Sequence, residues 1–475
     1  MIHVALLAAL LAALAGWYAP AAAESAPRFD HVVVIVQENR TPDNLFQGLC
    51  TDAKDCSIHP TAHQYDIQTS DWLDKAVRGG VVQPFAVRLT ARYDLDHMHE
   101  SFVESCDLDR GTGVCRMDGA AATHCQGKCP ARPQFAYVGN STGILDPYLA
   151  LATQYGWANY MFQTNQGPSF PAHQFIFGGT SAPSAEDDAI GTFAAENGGV
   201  KFKIGGCAAR PGQTVQLIDA AGQENPDNKI FPCFVHDTVP DLLTPGGFTW
   251  RYYTPGQNSI WSAPNAISHI CEAKFEKCTG TMWRQNVARH PRDVLSDISR
   301  CNLRNASWVI PTGQNSDHAK INRGGGPSWV ASVVNAIGTS KCKDGDRSYW
   351  DDTAIVILWD DWGGWYDHEP PTFLKAPQGG YQMGFRVPMI VVSAYTPAGY
   401  IDNTRHDFGS IIRFIEQNFK IAEGSLNFAD ARASTDLLSF FDFAQSPRVF
   451  QPIPAKYDAN YFLNDTSAPL PPDDD

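Results

Sequence analysis

Basic residues are scarce in this sequence, and charged residues in general are few. The chain of 475 residues has 36 Lys and Arg against 51 Asp and Glu, which gives a formal net charge of −15. Proteins that bind nucleic acids usually carry a basic surface, so the composition argues against a nucleic-acid partner. With 43% hydrophobic, 11% aromatic and 18% charged residues, the sequence predicts a folded protein with a large core.

Long apolar runs are absent beyond the N-terminus. An apolar run from Val4 to Ala15, followed by Ala21-Ala22-Ala23, is typical of a cleaved export signal, although this one has no Lys or Arg before the run. We therefore expect a signal peptide over residues 1–23 and a periplasmic or secreted mature protein. No later run approaches the roughly 18 apolar residues of a membrane span, which predicts no integral membrane segment after cleavage of the signal.

Paired CxxC motifs are absent as well, although the chain has 12 cysteines. An even number of cysteines in an exported chain predicts disulfide bonds. Gaps of eight, nine and three residues between Cys106, Cys115, Cys125 and Cys129 do not suit a zinc site. The connectivity stays open: either all cysteines pair in sequential order, or Cys106 pairs with Cys129 and Cys115 with Cys125.

No repeat of fixed period occurs, but patterns of buried strands recur. Continuous apolar runs at 31–37, 308–311, 353–359 and 387–395 are typical of strands that are covered on both faces of a parallel sheet. Helical periodicity at 328–338 and at 407–419 alternates with these runs, and Asp407 is the expected N-cap of the second helix. The alternation predicts an α/β fold.

Acidic residues follow two of the strand-like runs directly. Glu38 and Asn39 come after the run at 31–37, and Asp360 and Asp361 come after the run at 353–359. Ligands of open α/β sheets bind beyond the carboxyl ends of the strands. If the two strands are neighbours, three carboxylates meet there, and they can share a small space only when a cation neutralises them. The pattern predicts a metal site; the alternative is that these acids cap the loops that follow.

Other segments carry further candidate residues. His97 lies in DLDHMHESF, where two aspartates and two histidines fall within six residues, and His318 follows the strand-like run at 308–311 within Ser-Asp-His. Ser169 is flanked by Pro168 and by Phe170-Pro171, a rigid setting that could present its hydroxyl. Most serines beside proline are turn residues, so this signal alone is weak. No GxSxG elbow surrounds Ser169, which argues against an α/β-hydrolase esterase.

Between residues 29 and 420 the chain carries, in order, ENRTPDNLFQG, DLDHMHESF, GPSFPAHQFIFGG, NSDHA, TAIVILWDDWGGWYDHEPP and GFRVPMIVVSAY, followed by HDFGSIIRFIE. This ordered set resembles a bacterial phosphoesterase family that contains phospholipases C and respiratory-burst-inhibiting acid phosphatases. The resemblance implies an alkaline-phosphatase-like three-layer sandwich, with a central, mostly parallel sheet, helices on both faces and one site at the C-terminal edge of the sheet. It also implies a single phosphoesterase domain over 24–475, in which 181–300, poor in apolar runs, forms a loop-rich insertion over one edge.

The resemblance further implies one bound divalent metal ion. The residues that match its ligands are Glu38, Asn39, Asp360, Asp361 and Ser169. A donor set made only of oxygen atoms favours Ca, Mg or Mn, and Zn stays an alternative.

Catalytic roles are implied in the same way. Ser169 matches the nucleophile, which forms a phosphoserine intermediate. His97 and His318 match histidines that contact the phosphoryl group of the substrate, and His269 in NAISHIC is a weaker third match.

The departures from the family pattern concern the substrate. Pro42 and Asn44 stand where phospholipases C more usually have Phe and His, and PAHQ stands where many have PNR. Two hypotheses follow: a phospholipase C-like diesterase that acts on phospholipids or phosphocholine esters, and an acid phosphatase that acts on phosphomonoesters. A secreted binding protein on the same fold would be favoured if Ser169 or the acidic pairs were replaced. The 12 Trp and the paired acids also suggest a glycosidase. That activity needs two carboxylates about 5–9 Å apart on opposite sides of a sugar, a placement that the adjacent Asp360 and Asp361 do not suit.

The expected substrate is a small molecule or a lipid phosphoester. A lipid substrate requires that the protein surface binds to a membrane. Trp261, Trp283 and Trp362 are candidates for an exposed aromatic rim, with ordinary packing as the alternative. The net charge predicts that an anionic bilayer repels the protein, so a phospholipase of this charge should prefer zwitterionic lipids.

Overall fold

The structure is a computed structural model and describes residues 29–52, 54–195, 205–256, 259–342, 348–372, 381 and 383–470. The signal peptide expected over 1–23 lies outside these residues.

An eight-stranded sheet forms the centre of the molecule. Its strands, in chain order, are β1 (His31–Gln37), β2 (Gly156–Phe162), β3 (Trp250–Tyr253), β4 (Val287–Ala288), β5 (Ala306–Val309), β6 (Thr353–Trp359), β7 (Met389–Val392) and β8 (Tyr400–Asp407). Across the sheet the order is β4-β3-β5-β1-β6-β7-β2-β8. All neighbouring pairs are parallel except those of β7, which runs antiparallel to both β6 and β2.

The longer helices are α1 (His99–Cys106), α2 (Asp146–Gln154), α3 (Ser169–Gly178), α4 (Gly326–Gly338) and α5 (Phe408–Asn418). Shorter helices occupy Pro42–Leu45, Ala185–Ala189, Val239–Leu243, Ser268–Cys271, Thr281–Asn286, Asp293–Ser299, Ala429–Arg432 and Ala459–Leu463. As predicted, Asp407 caps α5, because its carboxylate accepts the backbone N–H of Ser410 at 3.0 Å.

Helices cover both faces of the sheet. Tyr148 of α2 packs against Trp359 of β6, with ring centroids 5.1 Å apart, and Phe177 of α3 packs against Trp308 of β5 at 5.1 Å. In the sheet, Trp308 of β5 lies opposite Val34 of β1, and Trp359 of β6 lies opposite Gln37 of β1. Those two β1 positions are three residues apart, so their side chains point to opposite faces. This arrangement confirms the predicted α/β fold with helices on both sides of a mostly parallel sheet.

The apolar runs correspond to β1, β5, β6 and β7, but β7 is the antiparallel strand, so the expectation of a parallel strand there was wrong. The run shows only that both faces are covered, which holds for β7 as for its neighbours. At one edge lies β8, whose sequence YIDNTRHD is polar and gave no strand signal.

Part of the segment expected to be an insertion belongs to the central sheet. β3 and β4 lie within 181–300 and form the edge of the sheet beyond β5. A separate antiparallel sheet of Phe193–Ala194, Val215–Ile218 and Glu224–Ile230 accounts for another part of it.

Disulfide bonds join the cysteines in sequential order, so the alternative arrangement of Cys106, Cys115, Cys125 and Cys129 is not found. The pairs are Cys50–Cys56, Cys106–Cys115, Cys125–Cys129, Cys207–Cys233, Cys271–Cys278 and Cys301–Cys342. All of them close short segments, with sequence separations from 4 to 41 residues.

A buried charge cluster holds together the loops that follow β1 and β6. The guanidinium of Arg386 donates to both oxygens of Asp367, at 3.0 and 3.1 Å, and lies 3.2 Å from Asp66 Oδ2. His368 contacts the remaining acids, with Nδ1 at 2.8 Å from Asp43 Oδ2 and Nε2 at 2.9 Å from Asp66 Oδ1. Since Asp43 follows β1 and Asp367 follows β6, the cluster fixes the two loops relative to each other.

The surroundings of this cluster shift two of its pKa values. Burial raises the pKa of Asp367 to about 7, against the opposing effect of Arg386. Burial alone would lower the pKa of His368, but the carboxylates of Asp43 and Asp66 outweigh it and raise that pKa to about 10. His368 is therefore a cation in the folded protein at neutral pH.

We expect the free energy of unfolding to fall as the pH rises from 7 to 9. Unfolded, His368 loses its proton near pH 6.5; folded, it keeps the proton up to about pH 10. The stabilisation is complete below pH 6.5 and is lost towards pH 10, with a slope of at most about 1.4 kcal/mol per pH unit. Urea unfolding at pH 7, 8 and 9 measures the slope. His368→Gln should flatten it and the exposed control His59→Gln should not; equal slopes in both variants would contradict the assignment.

Candidate active site

The neighbouring strands β1 and β6 bring the two predicted acidic pairs to one edge of the sheet. Glu38 and Asn39 follow β1, Asp360 and Asp361 follow β6, and all four side chains are buried. Two backbone contacts fix the junction: the N–H of Asn39 donates to Asp360 Oδ1 at 3.0 Å, and the N–H of Gly363 donates to Asp361 Oδ1 at 2.7 Å. Asn39 has a left-handed backbone with φ of 63°. A side chain at Gly363 would meet the carbonyl oxygen of Asn39 at 2.6 Å, so only glycine fits there.

His173 joins this group, a residue that the sequence analysis did not assign. Its Nε2 lies 3.1 Å from Glu38 Oε1 and 3.6 Å from Asp360 Oδ2. Glu38, His173 and Asp360 each offer a ligand atom, and these atoms all lie within 4.8 Å of one another. The sequence held a signal for it, because His173 follows Ser169 by four residues on α3 and therefore lies on the same helix face.

This group has the chemistry of a cation site. Asn39 Oδ1 and Asp360 Oδ2 have no hydrogen-bond partner among the described residues, and both are buried. Buried oxygen acceptors without donors are costly unless a cation meets them. A divalent cation would be held by Glu38, Asp360 and His173, with Asn39 beside them.

The pKa values of this group follow from the same burial. Burial, and next to it the charge of Asp360, raises the pKa of Asp361 well above its usual range. Burial lowers the pKa of His173 to about 4, although Asp360 acts in the opposite direction. His173 is therefore neutral above that pH, which is the form of imidazole that binds metal ions.

Ser169 lies beside these carboxylates as the first residue of α3. Its hydroxyl is 3.1 Å from Asp361 Oδ2 and 3.4 Å from Glu38 Oε2, and it is almost fully buried. The loop between β2 and α3 is fixed by Gln163, whose side chain donates to the Gly167 carbonyl at 2.9 Å and accepts the N–H of Trp362 at 3.2 Å. The N-terminus of a helix favours negative charge, so an anion next to Ser169 would be stabilised there.

Asn39 connects His97 to the buried carboxylates. The Asn39 amide donates to His97 Nε2 at 2.9 Å and to both oxygens of Asp361 at 3.0 and 3.1 Å. His97 Nδ1 lies 2.8 Å from the carbonyl oxygen of Leu95, an acceptor, so Nδ1 carries the proton. His97 Nε2 is therefore the acceptor of the Asn39 amide proton.

His318 is held in the same tautomer. Its Nδ1 lies 2.7 Å from the carbonyl oxygen of Ala319, and Asp94 Oδ2 is 3.9 Å away. The rings of His318 and His97 are 5.9 Å apart, so both histidines border one space.

His269, the third candidate histidine, has its hydrogen bonds elsewhere. Its Nε2 lies 3.1 Å from both carboxylate oxygens of Asp241, which raise the pKa of His269. Its side chain is 37% exposed, in contrast to the buried group around Ser169. The structure therefore brings together Glu38, Asn39, His97, Ser169, His318, Asp360 and Asp361, but does not place His269 with them.

Aromatic rings enclose the group. Trp261 packs over His173 and His318, with ring centroids 6.5 and 6.0 Å away, and Trp362 packs against His97 at 6.0 Å. Trp261, Trp283 and Trp362 are all buried. They pack in the interior of the protein and do not form an exposed aromatic rim. Within the described part of the chain, no helix has the length and apolar character needed to cross a bilayer.

Comparisons with known proteins point to phosphoesterases. Phospholipase C A of Mycobacterium tuberculosis is 24% identical over 268 residues, which make up 50% of this chain and 50% of that protein. Hemolytic phospholipase C of Pseudomonas aeruginosa is 22% identical over 342 residues, which make up 63% of this chain and 42% of that protein. The chain thus spans half or less of the length of these curated relatives.

Among solved structures, a protein in the alkaline phosphatase superfamily from Vibrio parahaemolyticus matches 58% of this chain and 61% of its own, with a TM-score of 0.31 and 11% identity. The sequence profile of the Phosphoesterase family matches residues 29–422, which include the whole central sheet and the buried group around Ser169. Because the profile covers most of the sequence, the chain belongs to the Phosphoesterase family.

Proposed function

We propose that this protein hydrolyses phosphate esters through a phosphoserine at Ser169. The observation that carries the proposal is the position of the Ser169 hydroxyl, 3.1 Å from Asp361 and 3.4 Å from Glu38 at the N-terminus of α3. A hydroxyl nucleophile needs a group that favours its ionised form, and the donor set of Glu38, Asp360 and His173 suits a divalent cation that does so.

His318 and Asp361 account for the movement of protons. As Ser169 Oγ bonds to phosphorus, its proton passes to the Asp361 carboxylate 3.1 Å away, and the ester P–O bond breaks while a protonated His318 gives its Nε2 proton to the departing alkoxide. Water then attacks the phosphoserine and gives one proton to His318 Nε2, the bond between phosphorus and Oγ breaks, and Oγ regains its proton from Asp361. Backbone carbonyls at Nδ1 orient both histidines, and the Nε2 of His97 accepts the Asn39 amide.

A divalent metal ion would supply positive charge that lowers the pKa of the serine and stabilises the phosphoryl oxygens. The expected donor set contained only oxygen atoms, whereas the structure adds the nitrogen of His173. Imidazole is a better ligand for Mn or Zn than for Ca or Mg, so we propose that His173 moves the preference towards the former pair.

The compartment is also part of the proposal. The structure has six disulfide bonds, which persist in oxidising surroundings. Together with the signal peptide expected over 1–23, they support a periplasmic or secreted protein.

For the substrate we favour a phospholipid or another phosphodiester with an apolar leaving group. A surface cavity of about 810 Å³ lies next to the loop that leads to Ser169, and its wall includes Gln166 of that loop. His99, two residues after His97, also lines this cavity, and Phe102 and Val103 of α1 contribute apolar side chains to its wall. Cavities of this size accept drug-sized apolar groups.

Hydrolysis of small phosphomonoesters is the second candidate, and one observation favours it. Ser169, His97 and His318 are each no more than 1% exposed, so the centre suits a small substrate better than an aggregated lipid.

The phosphoserine mechanism predicts that Ser169→Ala lowers kcat by about three orders of magnitude or more, because the covalent route is lost. Ser181→Ala is the matched control: Ser181 is equally buried, but its hydroxyl donates to the Ala194 carbonyl outside the site. Acid quench and peptide mass spectrometry should find phosphate on Ser169; phosphate on Thr164 instead would refute this nucleophile.

The metal site predicts that His173→Ala and Asp360→Asn weaken metal affinity about tenfold or more, because each removes a donor. His269→Ala is the control, since its contacts are with Asp241. Elemental analysis after dialysis against a chelator series measures retention. If His173→Ala retained metal as well as the control does, His173 would not be a metal ligand. Its role would then be limited to the hydrogen bond with Glu38.

The two substrate hypotheses differ in the effect of Val103→Asp. Val103 is 53% exposed on the wall of the large cavity, and Val449, 83% exposed elsewhere, provides the matched control Val449→Asp. A phospholipase should lose about tenfold in kcat/KM on phosphatidylcholine micelles only in Val103→Asp, because a charge then faces the lipid chain. On p-nitrophenyl phosphate both variants should equal the wild type. Rates on p-nitrophenyl phosphate that exceed lipid hydrolysis, with no effect of Val103→Asp on either, would support the phosphatase instead.

A further inference from the structure

A second cavity, whose lining shares no residue with the buried group around Ser169, is unusually basic for this protein. Its volume is about 570 Å³, and four of its ten lining residues are basic: Arg88, Arg92, Lys128 and Arg323. The described residues that line it include no Asp or Glu. In a chain with a net charge of −15, this is a local reversal of sign.

The four cations are not neutralised within the part of the chain that the structure describes. The ion pairs found there involve other basic residues, and all four of these side chains belong to exposed residues. Like charges held around one concave surface repel each other, and the repulsion falls when an anion enters. The arrangement therefore favours an anionic ligand.

Ordered backbone positions hold these side chains. The strands Tyr93–Leu95 and Cys125–Gly127 pair antiparallel, and the N–H of Lys128 donates to the Arg92 carbonyl at 3.0 Å. The buried amide of Asn322 donates to the carbonyl oxygens of Leu89 (3.0 Å) and His318 (2.7 Å), which fixes the segment that carries Arg323. The cavity is thus built from connected segments rather than from independent surface loops.

Two of these segments lead directly to the histidines of the buried group. Arg92 precedes His97 by five residues, and Arg323 follows His318 by five residues. Five residues of extended chain span at most about 18 Å, so the basic cavity lies within that reach of each histidine.

We propose that this cavity is a second anion site, which binds a phosphate group as free phosphate or as a phosphomonoester. Three arginines offer planar forks that match phosphate oxygens, and a multiply charged anion suits several converging cations better than a carboxylate does. The proposal does not depend on hydrolysis at Ser169, because none of the lining residues belongs to that centre.

The test compares Arg92→Gln/Arg323→Gln with the matched control Arg289→Gln/Arg300→Gln, which removes the same charge from exposed positions elsewhere. Calorimetric titration of the full-length protein with inorganic phosphate measures stoichiometry and affinity at low ionic strength. We expect the cavity variant to bind one phosphate fewer per chain than the wild type and the control, with kcat on p-nitrophenyl phosphate within twofold of wild type. Phosphate should also raise the Tm of wild type and control more than that of the variant. Equal stoichiometry and equal Tm shifts in all three proteins would overturn the proposal.

A vesicle arm distinguishes the sources of the phosphate group. Vesicles of phosphatidylcholine with phosphatidic acid present phosphomonoester headgroups, and vesicles with phosphatidylglycerol carry charge without a monoester. If the protein binds phosphatidic acid vesicles only when Arg92 and Arg323 are present, and also binds phosphate in solution, a lipid headgroup is a ligand of the cavity. If the protein binds phosphate in solution but neither kind of vesicle, the ligand is a soluble phosphate compound. Equal binding to both vesicles without phosphate binding in solution would overturn the site, because it would show a charged membrane-facing surface instead.

Discussion

The concentration of negative charge at the ends of β1 and β6 is the constraint on which the functional site depends. Glu38, Asp360 and Asp361 are buried together, and burial, with the charge of Asp360 next, raises the pKa of Asp361 well above its usual range. Such a group is stable only with a compensating cation or with bound protons. The neighbouring features follow from this demand. Asn39 and Asp360 present oxygen atoms that accept no hydrogen bond from the described residues, His173 is neutral above about pH 4, and Ser169 lies within hydrogen-bond distance of the carboxylates.

The buried cluster around Arg386 also contains several carboxylates, but their negative charge is compensated in a different way. Here Asp43, Asp66 and Asp367 meet two internal cations, Arg386 and the protonated His368, so the protein supplies most of the compensating charge itself. Both clusters contain segments that follow β1 and β6. The internally compensated cluster holds these segments in place, while the other has the chemistry of a site for an external cation. One edge of the sheet thus combines a structural and a chemical use of buried carboxylates.

Much of this arrangement could be predicted from local sequence, and the failures have physical reasons. β1 and β6 were evident because buried parallel strands are continuous apolar runs, and the acids directly after them could then be placed at one edge. The direction of β7 depends on its connections, which composition does not encode. The PAHQ segment does not by itself mark His173 as a ligand; only the four-residue spacing from Ser169 places it on the same helix face. The NAISHIC segment is a weak match to the family pattern, and His269 within it contacts Asp241 instead.

The connectivity of the sheet has a consequence for how the chain reaches its native state. β1 is the first strand of the described chain, yet its partners are Ala306–Val309 on one side and Thr353–Trp359 on the other. The disulfide bonds close loops of no more than 41 residues and cannot bring these distant segments together. Pairings over such sequence distances form slowly, because a long loop must close first. During synthesis, this apolar strand therefore remains unpaired until most of the chain has emerged, a period in which the nascent protein would benefit from a chaperone.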